Sequence, residues 1–147
     1  MSSVIVDTSV WSLVLRKKSL SDEQQKISEY LSNLIKSQSV VMLGAIRQEI
    51  LSGISDLKKY NSLRQNLQIF SDYQVVTSDY ERAAEFYNLC RSHGIQGSHT
   101  DYLICSVAYI NRFPVFTLDG DFMLYRQYID IGLIDESVWN IIKVENR

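Results

Sequence analysis

Apolar residues in this chain fall into two patterns: short unbroken runs, and longer stretches where they recur every three or four positions. Val4-Ile5-Val6 is an unbroken β-branched run that stops at Asp7. A parallel strand covered on both faces has that pattern, so residues 4–6 are expected to form a buried first strand. From Thr8 to Arg16, the spacing of Val10, Leu13 and Val14 predicts a helix with one apolar face. Ser21-Asp22-Glu23-Gln24 marks the start of a second helix, because Ser21 can cap it and Gln24 stands three residues on to reciprocate. Ile27, Leu31, Leu34 and Ile35 carry that helix's apolar stripe.

Ser39 to Leu43 reads as a second strand, and Ala45 to Leu51 as a helix that Gly53 stops. Leu57 to Phe70 reads as a helix with Tyr60, Leu63, Leu67 and Phe70 on its inner side. Val75-Val76 suggests a third strand, ahead of a long helix from about Tyr80 to His93 that Gly94 terminates. Another helix is expected from about Thr100 to Asn111, and Val115 to Leu118 is a strand ending at Asp119. Ile131 to Ile134 and Trp139 to Val144 are expected to close the sheet edge. Strands alternating with helices imply right-handed crossovers, hence an α/β fold: a three-layer α/β/α sandwich with a mostly parallel central sheet. No linker, repeat or charge block divides the chain, so residues 1–147 are expected to form a single domain.

Composition narrows the class. The chain has 147 residues, 46% hydrophobic and 22% charged, which excludes a disordered or collagen-like polymer. No apolar run approaches the ~20 residues of a membrane span, and Met1-Ser2-Ser3-Val4 lacks the basic start and apolar core of a signal peptide. Cys90 and Cys105 are too few for a disulfide framework and form no CxxC pair; both read as small core residues. A cytoplasmic setting is expected.

In parallel sheets the functional crevice lies outside the carboxyl ends of the strands. Two predicted strands end there in an acid: Val4-Ile5-Val6-Asp7, and Phe116-Thr117-Leu118-Asp119 followed by Gly120-Asp121. Two further acids lie oddly within helices. At about 100° per residue, Glu49 falls between Ala45 and Ile46, and Asp101 between Ile104 and Cys105, so neither belongs to a solvated face. Each acid has an ordinary structural explanation. Asp7 can cap the following helix, Asp119-Gly120 is a turn pair, Ser98 and Asp101 fit a capping pattern, and Glu49 can sit at its helix's rim. Their joint placement favours a site. Four carboxylates at about 5 Å would repel by roughly 3 kcal/mol per pair at an effective dielectric of about 20. A domain stable by only about 5–15 kcal/mol needs protons or a divalent cation there, and all-oxygen ligation suits Mg²⁺ or Mn²⁺ better than zinc.

The ordered set Val4-Ile5-Val6-Asp7-Thr8-Ser9, Ile46-Arg47-Gln48-Glu49-Ile50-Leu51-Ser52-Gly53, His99-Thr100-Asp101-Tyr102-Leu103-Ile104 and Thr117-Leu118-Asp119-Gly120-Asp121-Phe122 resembles the PIN domain, in particular a VapC-type toxin of a toxin–antitoxin pair. The resemblance covers essentially the whole chain. It implies a Mg²⁺- or Mn²⁺-dependent endoribonuclease that leaves a 5′-phosphate and a 3′-hydroxyl. It further implies a VapB-like antitoxin partner and a homodimer. By resemblance, Asp7, Glu49, Asp101 and Asp119 are the acidic quartet, Asp121 is an additional acid, and Thr8 and Thr117 are supporting hydroxyls. Asp7 and Asp101 would be the principal metal ligands, with Asp119 and Glu49 completing the site or holding a second ion. Ser98-His99-Thr100 departs from the small residues many relatives carry before this Asp.

RNA affinity is largely phosphate neutralisation, and the chain's net charge of −2 opposes it until a divalent ion is bound. Arg16-Lys17-Lys18, Lys58-Lys59 and Arg47 are candidate phosphate contacts. His93 reads as a helix-ending residue, and His99 is close enough to Asp101 in sequence to reach substrate. Trp11, Tyr102 and Phe122 lie beside the acids, where core packing is a better reading than base stacking. Two alternatives stand beside the nuclease. A haloacid-dehalogenase-type phosphatase would need a second Asp where Ser9 stands and a lysine near the closing acids. A non-catalytic PIN-like module would bind RNA or protein without cutting.

Overall fold

Val4–Val6 forms β1, and it takes the central place that its unbroken apolar run predicts. The structure, a computed structural model, describes residues 3–16 and 18–139. Among these residues the sheet has four strands: β1, β2 (Val40–Val41), β3 (Val115–Phe116) and β4 (Leu133–Ile134), in the order β2-β1-β3-β4. Every pairing is parallel, with Val4 beside Val40, Ile5 beside Val115 and Phe116 beside Ile134. The two inner strands are buried throughout, and the two edge strands are half-buried. That difference is why the inner pair are the most uniformly apolar segments in the sequence.

Helices flank this sheet: α1 (Thr8–Arg16), α2 (Asp22–Lys36), α3 (Gly44–Leu51), α4 (Leu57–Asn66), α5 (Thr77–Ser92), α6 (His99–Asn111) and α7 (Asp121–Tyr125). The capping box of α2 forms as expected: Ser21 Oγ accepts from the Gln24 N–H at 3.2 Å, and Gln24 Oε1 accepts from the Ser21 N–H at 3.0 Å. Seven consecutive residues of α6, Tyr102 to Ala108, are buried, so this helix is a core element rather than an amphipathic cover. Aromatic edges seal it against α5, with Phe86 on Tyr109 and Tyr87 on Tyr102. Tyr30 of α2 packs edge-on over Phe116 of β3.

The structure departs from the sequence reading in several places. Val75-Val76 is not a strand; the nearby sheet contact is one parallel bridge between Met42 and Asp72. The Asp79 carboxylate accepts the Val76 N–H at 3.0 Å, which starts α5 at Thr77, three residues early, and removes that backbone from any ladder. The helix expected to run to Phe70 stops at Asn66 and tightens into a 3₁₀ turn, Leu67–Ile69. β3 ends at Phe116, and beyond it the Leu118 and Asp119 N–H groups donate to the Ser9 and Thr117 hydroxyls rather than to a neighbouring strand. A short helix, α7, follows Gly120 where the sequence predicts only a turn. Of the expected C-terminal edge, Leu133–Ile134 forms β4 and residues 136–139 are helical, while residues 140–144 lie outside the described residues. Among the described residues, no helix is long and apolar enough to cross a membrane.

Candidate metal centre

The ladder between β1 and β3 continues one residue past β1, as the Asp7 N–H donates to the Phe116 carbonyl at 2.9 Å. This fixes Asp7 at the carboxyl end of the sheet with only 6% of its surface exposed. Its Oδ2 accepts the Ser9 hydroxyl at 2.7 Å and the Thr117 hydroxyl at 2.8 Å. Each hydroxyl has a single proton to give, so both act as acceptors elsewhere: Ser9 Oγ takes the Leu118 N–H at 2.9 Å, and Thr117 Oγ1 takes the Asp119 N–H at 3.0 Å. Two hydroxyls therefore lock the 117–119 segment onto the Asp7 carboxylate. Among the described residues, Asp7 Oδ1 accepts no hydrogen bond.

Asp119 and Asp121 follow on that locked segment. Asp119 Oδ1 accepts the Asp121 N–H at 2.9 Å, in the first turn of α7. Asp101 comes from the first turn of α6, which Ser98 caps by accepting the Asp101 N–H at 3.0 Å. The Asp101 carboxylate accepts the Tyr125 hydroxyl at 2.6 Å through Oδ2. One carboxylate oxygen each of Asp101, Asp119 and Asp121 lies within 4.8 Å of the others. Burial pushes the Asp101 carboxyl up to about 6; the Asp7 and Asp119 charges push the same way, and the Tyr125 hydrogen bond opposes them. Asp101 thus sits half-buried, as its place on the helical wheel predicts.

Glu49 is a correction. It is exposed rather than turned into the apolar arc, and it is not in the three-acid group. It stands at the wall of a 390 Å³ cleft lined also by Thr8, Arg16 and Thr100. Thr8 Oγ1 donates to Glu49 Oε1 at 3.3 Å. Desolvation chiefly, with the Asp7 charge, raises the Glu49 pKa, and the Thr8 bond restrains the rise. The Asp7 charge thus acts on both Glu49 and Asp101.

Arg47 is also corrected. Its guanidinium is occupied within the chain, donating to the Leu67 carbonyl at 2.9 Å, the Phe70 carbonyl at 2.5 Å and Asp72 at 3.0 Å. Lys18, Lys58 and Lys59 line one 730 Å³ cavity together with Arg16, whose guanidinium donates to the Ile50 and Ser52 carbonyls at 3.2 and 3.4 Å, and among the described residues that lining contains no acid. Arg16 also lines the Glu49 cleft, so the basic basin and the acidic cleft adjoin. Lys17 lies outside the described residues. Trp11, Tyr102 and Phe122 are buried core residues. Cys90 and Cys105 are buried free thiols whose pKa values burial raises, so they stay protonated. His99 is exposed and stacks on Tyr87, with ring centroids 5.2 Å apart, and His93 ends α5, stacked on Tyr128.

Sequence reasoning misses two contributors. Ser9 enters it as the last residue of the Val4–Ser9 motif and as the residue standing where a phosphatase would need an acid, with no role of its own. Tyr125 gives no signal, because a tyrosine between Phe122 and Ile129 reads as core. The donor set is entirely carboxylate, with neither thiolate nor imidazole, and this fits a hard divalent cation.

The model of the PIN domain family matches residues 4–127. No curated protein sequence matches the chain. Among solved structures, the chain is similar to FitAcB from Neisseria gonorrhoeae, with a TM-score of 0.63 at 20% identity, covering 90% of this chain and 96% of that one. It is also similar to FitAB bound to an IR36 DNA fragment, with a TM-score of 0.70 at 20% identity, covering 92% and 95%. These likenesses bear on the fold.

Proposed function

The chain belongs to the PIN domain family, and from that premise we propose that it is a Mg²⁺- or Mn²⁺-dependent endoribonuclease, the toxin of a type II toxin–antitoxin pair. The observation that carries this reading is the meeting of Asp101, Asp119 and Asp121 within 4.8 Å at the sheet end where Asp7 is clamped. Asp7, Asp101 and Asp119, with Asp121, would hold the ion. When bound, it lowers the pKa of a coordinated water and offsets charge on the phosphate oxygens.

The chain's own residues supply the rest. Ser9 and Thr117 hold the Asp7 carboxylate fixed in rotation. Asp101 must be ionised to serve as a ligand. Glu49, exposed in the cleft with its pKa raised, suits a group that orients the attacking water and accepts its proton. In-line attack by that water on phosphorus breaks the P–O3′ bond, giving a 5′-phosphate and a 3′-hydroxyl. Arg16, Lys18, Lys58 and Lys59 offer the RNA backbone a cationic approach to the cleft.

The reading takes residues 1–147 as one cytoplasmic domain that forms a homodimer and is restrained by a VapB-like antitoxin. The structural likeness to FitAB, solved on a DNA fragment, accords with such an assembly. The deciding experiment incubates purified, partner-free protein with RNA in Mg²⁺, Mn²⁺ or chelator. Cleavage is expected with either ion, none with chelator and none after Asp101→Asn. RNA binding without cleavage under every condition would replace this reading with a passive binding module.

A further inference from the structure

We propose that Tyr125 is a positioning residue for the metal centre, and that Gly97 is the feature of the chain that admits its hydroxyl. The inference rests on the reading of the site given above. Tyr125 ends α7, is 0% exposed, and packs on Tyr102 and Phe122 with ring centroids 5.0 and 5.2 Å away. Phenylalanine would fill that space equally well, and a buried hydroxyl costs stability unless it finds a partner. The partner here is Asp101 Oδ2 at 2.6 Å, the short distance of a hydroxyl donating to a charged oxygen.

Gly97 belongs to the same arrangement. A Cβ at this position would lie 2.5 Å from the Tyr125 hydroxyl oxygen, 2.8 Å from the Tyr102 ring and 2.9 Å from the Tyr125 ring. Gly97 is not among the glycines with positive φ, so space rather than backbone conformation excludes a side chain there. The chain entering α6 thus passes directly over the hydroxyl that restrains the acid of α6. The five-residue helix α7 sets two parts of the site at once: Asp121 at its start faces Asp101 and Asp119, and Tyr125 at its end fixes how Asp101 turns. Tyr125 touches no reacting atom. It acts through Asp101, by keeping one oxygen engaged and the carboxylate plane fixed.

The test is a Mn²⁺ titration of the full chain at neutral pH, following the free-ion EPR signal, with wild type, Asp101→Asn, Tyr125→Phe and Gly97→Ala compared. Wild type should bind and Asp101→Asn should not; if wild type binds no Mn²⁺, the metal-site reading itself fails, whatever Tyr125 does. Given wild-type binding, Tyr125→Phe should bind about 10–100-fold more weakly. Its kcat on RNA should fall while KM and the far-UV circular dichroism stay unchanged. Gly97→Ala should shift Mn²⁺ affinity in the same direction. A Tyr125→Phe protein that binds Mn²⁺ as tightly as wild type overturns the proposal, even if it melts earlier or Gly97→Ala is impaired, since packing alone then explains both residues.

Discussion

Thr117 donates its hydroxyl proton to Asp7 Oδ2 at 2.8 Å, across 110 positions of sequence, and accepts the Asp119 N–H at 3.0 Å with the same oxygen. One side chain therefore joins the two strand-end acids, giving one a proton donor and the other a fixed backbone. Thr117→Val keeps the shape and removes both bonds. It should lower the unfolding free energy by about 1.5–3 kcal/mol, the range for hydrogen bonds to charged groups, as read by urea denaturation. Cleavage should fall about 10–100-fold, as when a partner that orients a metal ligand is removed.

Asp101 makes stability depend on pH in an unusual direction for a carboxylate. Its pKa is about 6 in the folded chain against 3.8 for the free side chain. Between those values the folded state holds a proton that the unfolded state releases, so raising the pH favours unfolding. In chelator, the contribution of this group is fully present below about pH 4 and is lost as pH climbs through about 6. Asp101→Asn should remove that decline and melt later than wild type at pH 7. Thermal midpoints across this range decide it; a wild-type profile rising with pH in parallel with the variant's would contradict the assignment.

Divalent ions should reverse the penalty. Mg²⁺ at 100 times its dissociation constant should stabilise wild type by about 2.7 kcal/mol. It should leave Asp101→Asn and Asp119→Asn nearly unmoved, with their cleavage reduced by at least about 100-fold. Differential scanning calorimetry with and without the ion, beside a cleavage assay, reads both effects.

Arg47 and the lysines should separate cleanly. Arg47→Ala leaves the Leu67 and Phe70 carbonyls without their donor and should cost about 1–3 kcal/mol of stability. The salt dependence of RNA binding should not change. Lys58→Gln and Lys59→Gln should leave stability alone and flatten the log–log salt slope by about 0.7 for each phosphate no longer neutralised. A slope that stays put in the lysine variants would remove the basin from the RNA path.

Legibility follows the range of the interaction. β1, the capping box at Ser21 and the acids at the strand ends are readable because each depends on neighbours in sequence. A helical wheel places Asp101 correctly because α6 is buried nearly all round. The same wheel misjudges Glu49, because an angle on α3 does not reveal that Thr8 and a cleft, rather than core, lie beside it. Val75-Val76 has the composition of a strand, but the Asp79 carboxylate competes for its backbone. Tyr125 and Arg47 are illegible for one reason: their partners, 24 and 20–25 residues away, exist only once the chain has folded.

The strand order has a consequence for synthesis. β1 leaves the ribosome long before its inner neighbour β3, with which Ile5 pairs through Val115. Until β3 emerges, a nascent chain has no hydroxyl from Thr117 for Asp7, and neither Asp119 nor Asp121 can reach it. Pairings so distant in sequence also form slowly. A cell making this protein thus carries inert fragments until that late segment arrives, and the proposed blade is assembled only then.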